Sequence, residues 1–205
     1  MEDVLDLYAE AEDPARPLVC FDEMPYQLIA ETRLPLPAAP GRTARYDYEY
    51  QRMGTCNLFA FFAPLAGFRH IDVTARRTAA DFAEAMRRLV DVLYPEAAVI
   101  RVVLDNLNTH TGAALYEAFA PAEARRILRR LAFHYTPKHG SWLNMAEIEW
   151  SVLTQQCLDR RIADTTTLAR EIAAWEAARN EMKVTVDWRF TTAKARTKLA
   201  LLYPS

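Results

Sequence analysis

Cysteine is scarce in this chain. Cys20, Cys56 and Cys157 are odd in number and widely spaced in apolar surroundings. That argues against a disulfide or zinc framework and reads as reduced, buried thiols. There is no apolar run of membrane-spanning length and no signal-peptide pattern, so a cytoplasmic protein is the expectation. Charge of neither sign dominates, with 25 Lys and Arg against 27 Asp and Glu. A nucleic-acid partner would therefore have to be held by local basic patches rather than by bulk charge. Paired arginines at Arg76 and Arg77, Arg87 and Arg88, Arg125 and Arg126, Arg129 and Arg130, and Arg160 and Arg161 are such patches. Each also reads as a solvated helix face carrying salt bridges. With no internal repeat and no sharp change of composition, the 205 residues are expected to form one domain, 1–205.

What the chain does have is centred on AVIRVVLDNLNTH, Ala98 to His110. Val99, Ile100, Val102, Val103 and Leu104 form a β-branched apolar run, the pattern of a strand buried on both faces. It stops at Asp105, and the polar residues after it belong to the loop at the carboxyl end of that strand, where open α/β sheets place their ligand chemistry. LVCFDE, Leu18 to Glu23, repeats the design of an apolar strand ending in a carboxylate. SWLNMAEIEW, Ser141 to Trp150, puts carboxylates in the first turn of a helix.

Taken in order, the pattern predicts a short helix over Met1 to Ala11 and a first strand over Leu18 to Phe21, with Pro25 just beyond it expected to stop the pattern. Glu31 to Arg52 is proline-bearing and then basic and aromatic (GRTARYDYEYQR), either a functional loop or an edge strand with alternating tyrosines. A hairpin follows, Thr55 to Phe62 and Phe68 to Val73, then a helix over Ala79 to Leu93 opened by the Thr78 and Asp81 capping pair. After the strand that ends at Asp105 come helices over Ala113 to Phe119 and Ala122 to Leu131 and a short strand, Phe133 to Tyr135. Asn144 and Glu147 have capping-box spacing at the head of a helix whose buried stripe is Ala146, Trp150, Leu153 and Cys157. Leu168, Ile172 and Trp175 mark another helix, and Ala193 to Leu202 a last, basic one. Three strands, helix, strand, helices, short strand, helices is an order that resembles the ribonuclease H-like fold, an α/β fold with a mixed sheet flanked by helices. That sheet would set the ends of the first and fourth strands side by side, making Asp22 and Asp105 neighbours.

Carboxylates converging on a cleft repel one another unless cations neutralise them. Hard oxygen donors suit Mg²⁺ or Mn²⁺. Two such ions about 3.5–4 Å apart can hold the attacking and leaving oxygens of a phosphoryl displacement.

LVCFDE, VVLDNLNTH and TPKHGSWLNMAEIEW resemble the three acidic motifs of DDE transposases, in the bacterial insertion-sequence branch of the mariner-type superfamily. GRTARYDYEY, NLFAFFAPLAGFRH and DWRFTTAKAR are similar to that branch as well, so the resemblance runs from about Leu18 to the C-terminus. It implies Asp22, Asp105 and Glu147 as catalytic metal ligands for two Mg²⁺ or Mn²⁺ ions. The 41 residues between Asp105 and Glu147 exceed the spacing usual in eukaryotic relatives and are compatible with the bacterial branch. Glu149 is the rival third acid, two residues on and about 200° round the helix, so that both cannot face the metals. Glu23 is expected either behind the ligands or exposed, rather than as a fourth ligand.

The resemblance further implies a transposase that cuts at transposon ends and joins the 3′ hydroxyl to target DNA at TA, working as a homodimer in a synaptic complex. Arg42, Arg45, Asn106, His110, Lys138, His139 and Trp142 are the candidate DNA contacts, with His110, Lys138, His139 and Trp142 alternative orienters of water and Asn106 an alternative donor to a carboxylate or a phosphate. Such transposases carry helix-turn-helix modules ahead of the catalytic domain, and none is evident before Asp22. A separate DNA-recognition protein is one expectation that follows. The other is a catalytically silent chain that binds DNA or partner subunits and regulates transposition.

Overall fold

A computed structural model describes residues 1–202; residues 203–205, the end of the expected domain, lie outside the described residues. Strands β1 (Leu18–Glu31), β2 (Tyr50–Ala63), β3 (Phe68–Thr74), β4 (Ile100–Leu104) and β5 (Leu131–Tyr135) form one sheet in the order β3-β2-β1-β4-β5. The first three are joined antiparallel, and β4 and β5 run parallel to β1. This is the ribonuclease H-like arrangement, with the long antiparallel strands feeding a short parallel half.

Side-chain alternation decides what covers each face. On β2, Phe59 and Phe61 pack with Val19 and Phe21 of β1 and with Phe82, Met86 and Leu89. That face is covered by α2 (Ala79–Arg88), which continues as a wider π turn over Leu89–Leu93, and by α3 (Gly112–Ala118) and α4 (Pro121–Leu128). Leu58 and Ala60, one residue out of phase, pack on Trp150, Leu153, Leu168, Ile172 and Trp175. These come from α5 (Ala146–Leu153), the turn Thr154–Leu158 that extends it, and α6 (Thr165–Glu181). Leu18, Cys20 and Val103 point to this second side too, against α1 (Glu2–Tyr8) and α7 (Thr192–Lys198). The three cysteines are free and buried.

The expected capping box of α2 forms, with Thr78 and Asp81 each bonding the other's backbone N–H. The strand β1 is longer than its sequence suggests, because Pro25 does not end it. The ladder to β2 continues on both sides of that proline, Met24 opposite Leu58 and Tyr26 opposite Cys56. Pairing with β4 covers only Leu18 to Cys20, so beyond Asp22 one edge of β1 is open and a missing N–H is tolerated there. Residues 32–49 form an exposed loop held by two isolated bridges, Leu36 to Arg45 and Ala39 to Arg42, so Tyr46 and Tyr48 lie in loop rather than on an edge strand. Many of the paired arginines sit in surface ion pairs: Arg87 with Glu84, Arg126 with Glu123 and Asp91, Arg160 with Glu171. No helix among the described residues is long and apolar enough to cross a membrane.

The β2–β3 turn carries a glycine with no alternative. Gly67 has φ +69°, and a Cβ there would lie 2.5 Å from the Lys183 carbonyl carbon and oxygen. Gly67→Ala is expected to destabilise the protein by at least about 1–3 kcal/mol, the scale of a strained left-handed residue. A melting temperature equal to wild type would show that the turn can relax.

Candidate active site

The register of β1 against β4 sets the first two acids. Leu18, Val19 and Cys20 lie opposite Arg101, Val102 and Val103, and the same offset carried on puts Asp22 opposite Asp105. Both are in phase with the residues that face the second side of the sheet, Cys20 and Val103. The side covered by α5 is therefore the side both carboxylates face.

Two hydrogen bonds fix α5 over β1. Asn144 Nδ2 donates to the Phe21 carbonyl at 2.8 Å, and Trp150 Nε1 donates to Asp22 Oδ2 at 3.0 Å. Trp150 and Glu147 are three residues apart on one helix face, so the contact that holds Asp22 also turns Glu147 toward it. The Asn144–Glu147 capping box expected from the sequence is not formed. Met145 is the N-cap residue, and the Asn144 side chain instead bridges β1 and the Ala146 N–H.

Glu147 and Glu149 separate cleanly. Glu147 is exposed, and its carboxylate has no hydrogen bond or ion pair within the described residues. Glu149 is 1% exposed and faces Arg69 Nε at 2.8 Å and Arg179 Nε at 3.0 Å. The Arg69 contact is an ion pair off line for a hydrogen bond, while Arg179 Nε–H donates directly. Glu149 is thus turned into the core by two cations, and Glu147 is the acid left facing outward.

Asp22 feels its neighbours. Burial, offset in part by the hydrogen bond from the Glu23 N–H, combines with the charges of Glu147 and Asp105 to push its carboxyl up to about 7. As they lie, the acids do not close a coordination shell: among the described residues no three His, Cys, Asp or Glu side chains are gathered tightly enough to grip an ion. Bare carboxylates repel one another until a cation neutralises them, and the all-oxygen donor set matches the preference of Mg²⁺ or Mn²⁺.

His110 is not a surface contact. It is 0% exposed, so as placed it cannot touch DNA. Its Nδ1 lies 2.5 Å from Asp105 Oδ1 and its Nε2 3.5 Å from Glu23 Oε2. Burial alone would lower its pKa, but hydrogen bonding and charge from Asp105 and Glu23 outweigh that and raise it to about 9. Asn106 is exposed beside Asp105. Lys138, His139 and Trp142 are exposed around a cavity of about 410 Å³ that Met1, Leu143 and Leu199 also line. Arg42 and Arg45 are exposed in the 32–49 loop, at the far end of β1, roughly 30 Å of strand from Asp22. Trp150, which reads in the sequence only as part of a buried stripe, also holds Asp22, and no local pattern signals that.

A family model described as a DDE superfamily endonuclease matches residues 17–169, from the start of β1 into α6. The chain belongs to the DDE superfamily endonuclease family. Among curated proteins, none is a detectable relative. Among solved structures, the crystal structure of the Mos1 mariner paired end complex with Mn superposes with a TM-score of 0.60 at 16% identity, covering 88% of this chain and 54% of that one. The Mos1 strand transfer complex gives 0.60 at 15%, over 88% and 53%. A pre-cleavage Mos1 transpososome gives 0.57 at 14%, over 91% and 60%. At such identities the likeness is one of fold, and this DDE-family chain spans a little over half the length of the Mos1 chains.

Proposed function

We propose that this chain is the catalytic domain of a metal-dependent transposase, with Asp22, Asp105 and Glu147 as the ligands of two Mg²⁺ or Mn²⁺ ions. The observation that carries the reading is that Asp22 feels the charges of both Asp105 and Glu147, from three separate elements, while Glu149, the rival, is paired in the core. Bound there, the ions would polarise phosphate oxygens and favour a deprotonated water or 3′ hydroxyl as nucleophile. The chain's own residues supply the rest. Trp150 and the Glu23 N–H each bond one oxygen of Asp22, fixing the carboxylate plane. Glu147, exposed and without a protein partner among the described residues, would close on the site when its charge is met.

The substrate in this reading is DNA, cut at transposon ends, with the 3′ hydroxyl then joined to a TA target. The Mos1 structures described as paired-end and strand-transfer complexes, one with Mn, support that direction. A homodimer in a synaptic complex and a separate end-recognition protein are part of the same proposal. Asn106, beside Asp105, and Lys138, His139 and Trp142, on the loop leading to α5, would meet DNA near the acids, and Arg42 and Arg45 would meet it or a partner subunit farther out.

The test is plasmid nicking by the 205-residue chain in Mn²⁺, with and without EDTA, for wild type and Asp105→Asn. Nicking by wild type that EDTA and Asp105→Asn both abolish is the expected result. Nicking retained by Asp105→Asn would sink the assignment, and DNA binding without any metal-dependent nicking would favour the regulatory, catalytically silent reading.

A further inference from the structure

Behind Asp105, on the opposite side of the sheet from α5, one polar side chain is sealed among aromatics. The His110 ring stacks on Phe82, centroids 4.9 Å apart and planes 28° apart, and meets Phe21 edge-on at 5.4 Å. Tyr135 of β5 donates to the His110 carbonyl at 2.9 Å, so the backbone is pinned as well as the ring. A polar ring placed there needs partners, because an unsatisfied buried donor is destabilising.

The ring's two nitrogens face two carboxylates from two strands. Nδ1 faces Asp105 Oδ1 at 2.5 Å, and a carboxylate can only accept, so Nδ1 carries a proton and donates it. Nε2 lies 3.5 Å from Glu23 Oε2, at the limit of a hydrogen bond and without another partner. Glu23 is the residue after Asp22 and is held from outside by Arg77 at 3.3 Å. Arg77, Glu23, His110 and Asp105 thus form a chain that starts at the surface and ends on one oxygen of the second acid. Asp105 itself is 31% exposed at the end of a short strand and has no other side-chain hydrogen bond among the described residues.

We infer that His110 is a positioning residue for Asp105, occupying one carboxylate oxygen from behind so that the other is presented on the α5 side beside Asp22. This rests on the reading of Asp105 as a metal ligand. Groups that hydrogen-bond a ligand from behind tune metal affinity because they fix its orientation, and their loss typically weakens binding by about 10–100-fold.

Three substitutions separate positioning from packing. His110→Phe keeps a ring against Phe82 and Phe21 but removes both nitrogens. His110→Asn keeps a donor where Nδ1 stood, and His110→Gln keeps one where Nε2 stood. Mn²⁺ affinity, by calorimetry with duplex DNA present, is expected to fall about tenfold or more in the Phe and Gln variants and to recover largely in Asn. Melting temperature, which a packing role alone would govern, is expected to favour Phe over Asn. Wild-type Mn²⁺ affinity in His110→Phe, or Asn binding no better than Gln, would overturn the inference; if Phe fails to fold, the Asn and Gln pair still decides. Wild type that binds no Mn²⁺ would overturn the metal-ligand reading and this inference together, whereas wild-type binding with an unimpaired Phe variant overturns this inference alone.

Discussion

Glu149→Ala is expected to lower the melting temperature by roughly 6–20 °C, and Glu147→Ala, two residues away, to leave it unchanged while reducing metal-dependent nicking to background. Removing Glu149 strands the Arg69 and Arg179 guanidiniums, whose side chains are 1% and 12% exposed, beside each other in the core. Burial already lowers the Arg69 pKa, against the support of the Glu149 charge and with the Arg179 charge adding to it. Breaking a buried ion pair from one side costs about 3–5 kcal/mol, and in a domain of this size each kcal/mol is worth about 2–4 °C. Glu147 is exposed and unpaired among the described residues, and truncating such a residue falls within about 0.5 kcal/mol of neutral. Thermal melts of both variants with nicking measured well below their midpoints make the comparison. Nicking by Glu147→Ala, with loss of nicking in folded Glu149→Ala, would reverse the assignment of the third acid.

That pair also marks how far sequence reaches. The apolar run of β4, Ile100, Val102, Val103 and Leu104, and that of β2, Leu58 to Ala63, are legible because burial on both faces leaves a direct imprint on residue type. Strand order and the alignment of Asp22 with Asp105 follow from the fold those elements resemble. The choice of Glu147 over Glu149 is legible only through the family resemblance, because helical periodicity by itself says only that they diverge. What turns Glu149 inward is Arg69 on β3 and Arg179 on α6, far away in sequence. Pro25 misleads for a similar reason: whether a proline ends a strand depends on whether the strand beside it is paired there, which no local pattern records. His110 reads as a loop residue near DNA until Glu23, Phe21 and Phe82 are brought around it from other elements.

Metal-free protein is expected to be most stable in mild acid and to lose roughly 3 kcal/mol or more between pH 5 and pH 9, a fall of about 6–12 °C in melting temperature. Asp22 sits at about 7 in the folded state against an ordinary 3.8, so between those two values the folded protein keeps a proton that the unfolded chain has released. Stability therefore declines as pH rises through the window. His110 and His70 act in the same direction at higher pH. Burial opposes their charge, but Asp105 and Glu23 around His110, and Asp72 and Glu176 around His70, raise each to about 9. Their contribution is fully present below about 6.5 and is lost as pH climbs through 9. The opposite arm is acidic: Asp91, held low by hydrogen bonds from Arg126, withdraws its contribution only as pH falls below the usual carboxylate range. Mn²⁺ should correct the alkaline side selectively, because it competes with the proton on Asp22 and so stabilises the protein more at pH 8 than at pH 5. Melting curves at pH 5, 7 and 9 in EDTA and in Mn²⁺ test both halves. A flat profile in EDTA would contradict the buried proton, and equal stabilisation by Mn²⁺ at pH 5 and pH 8 would contradict ligation through a carboxylate that must first ionise.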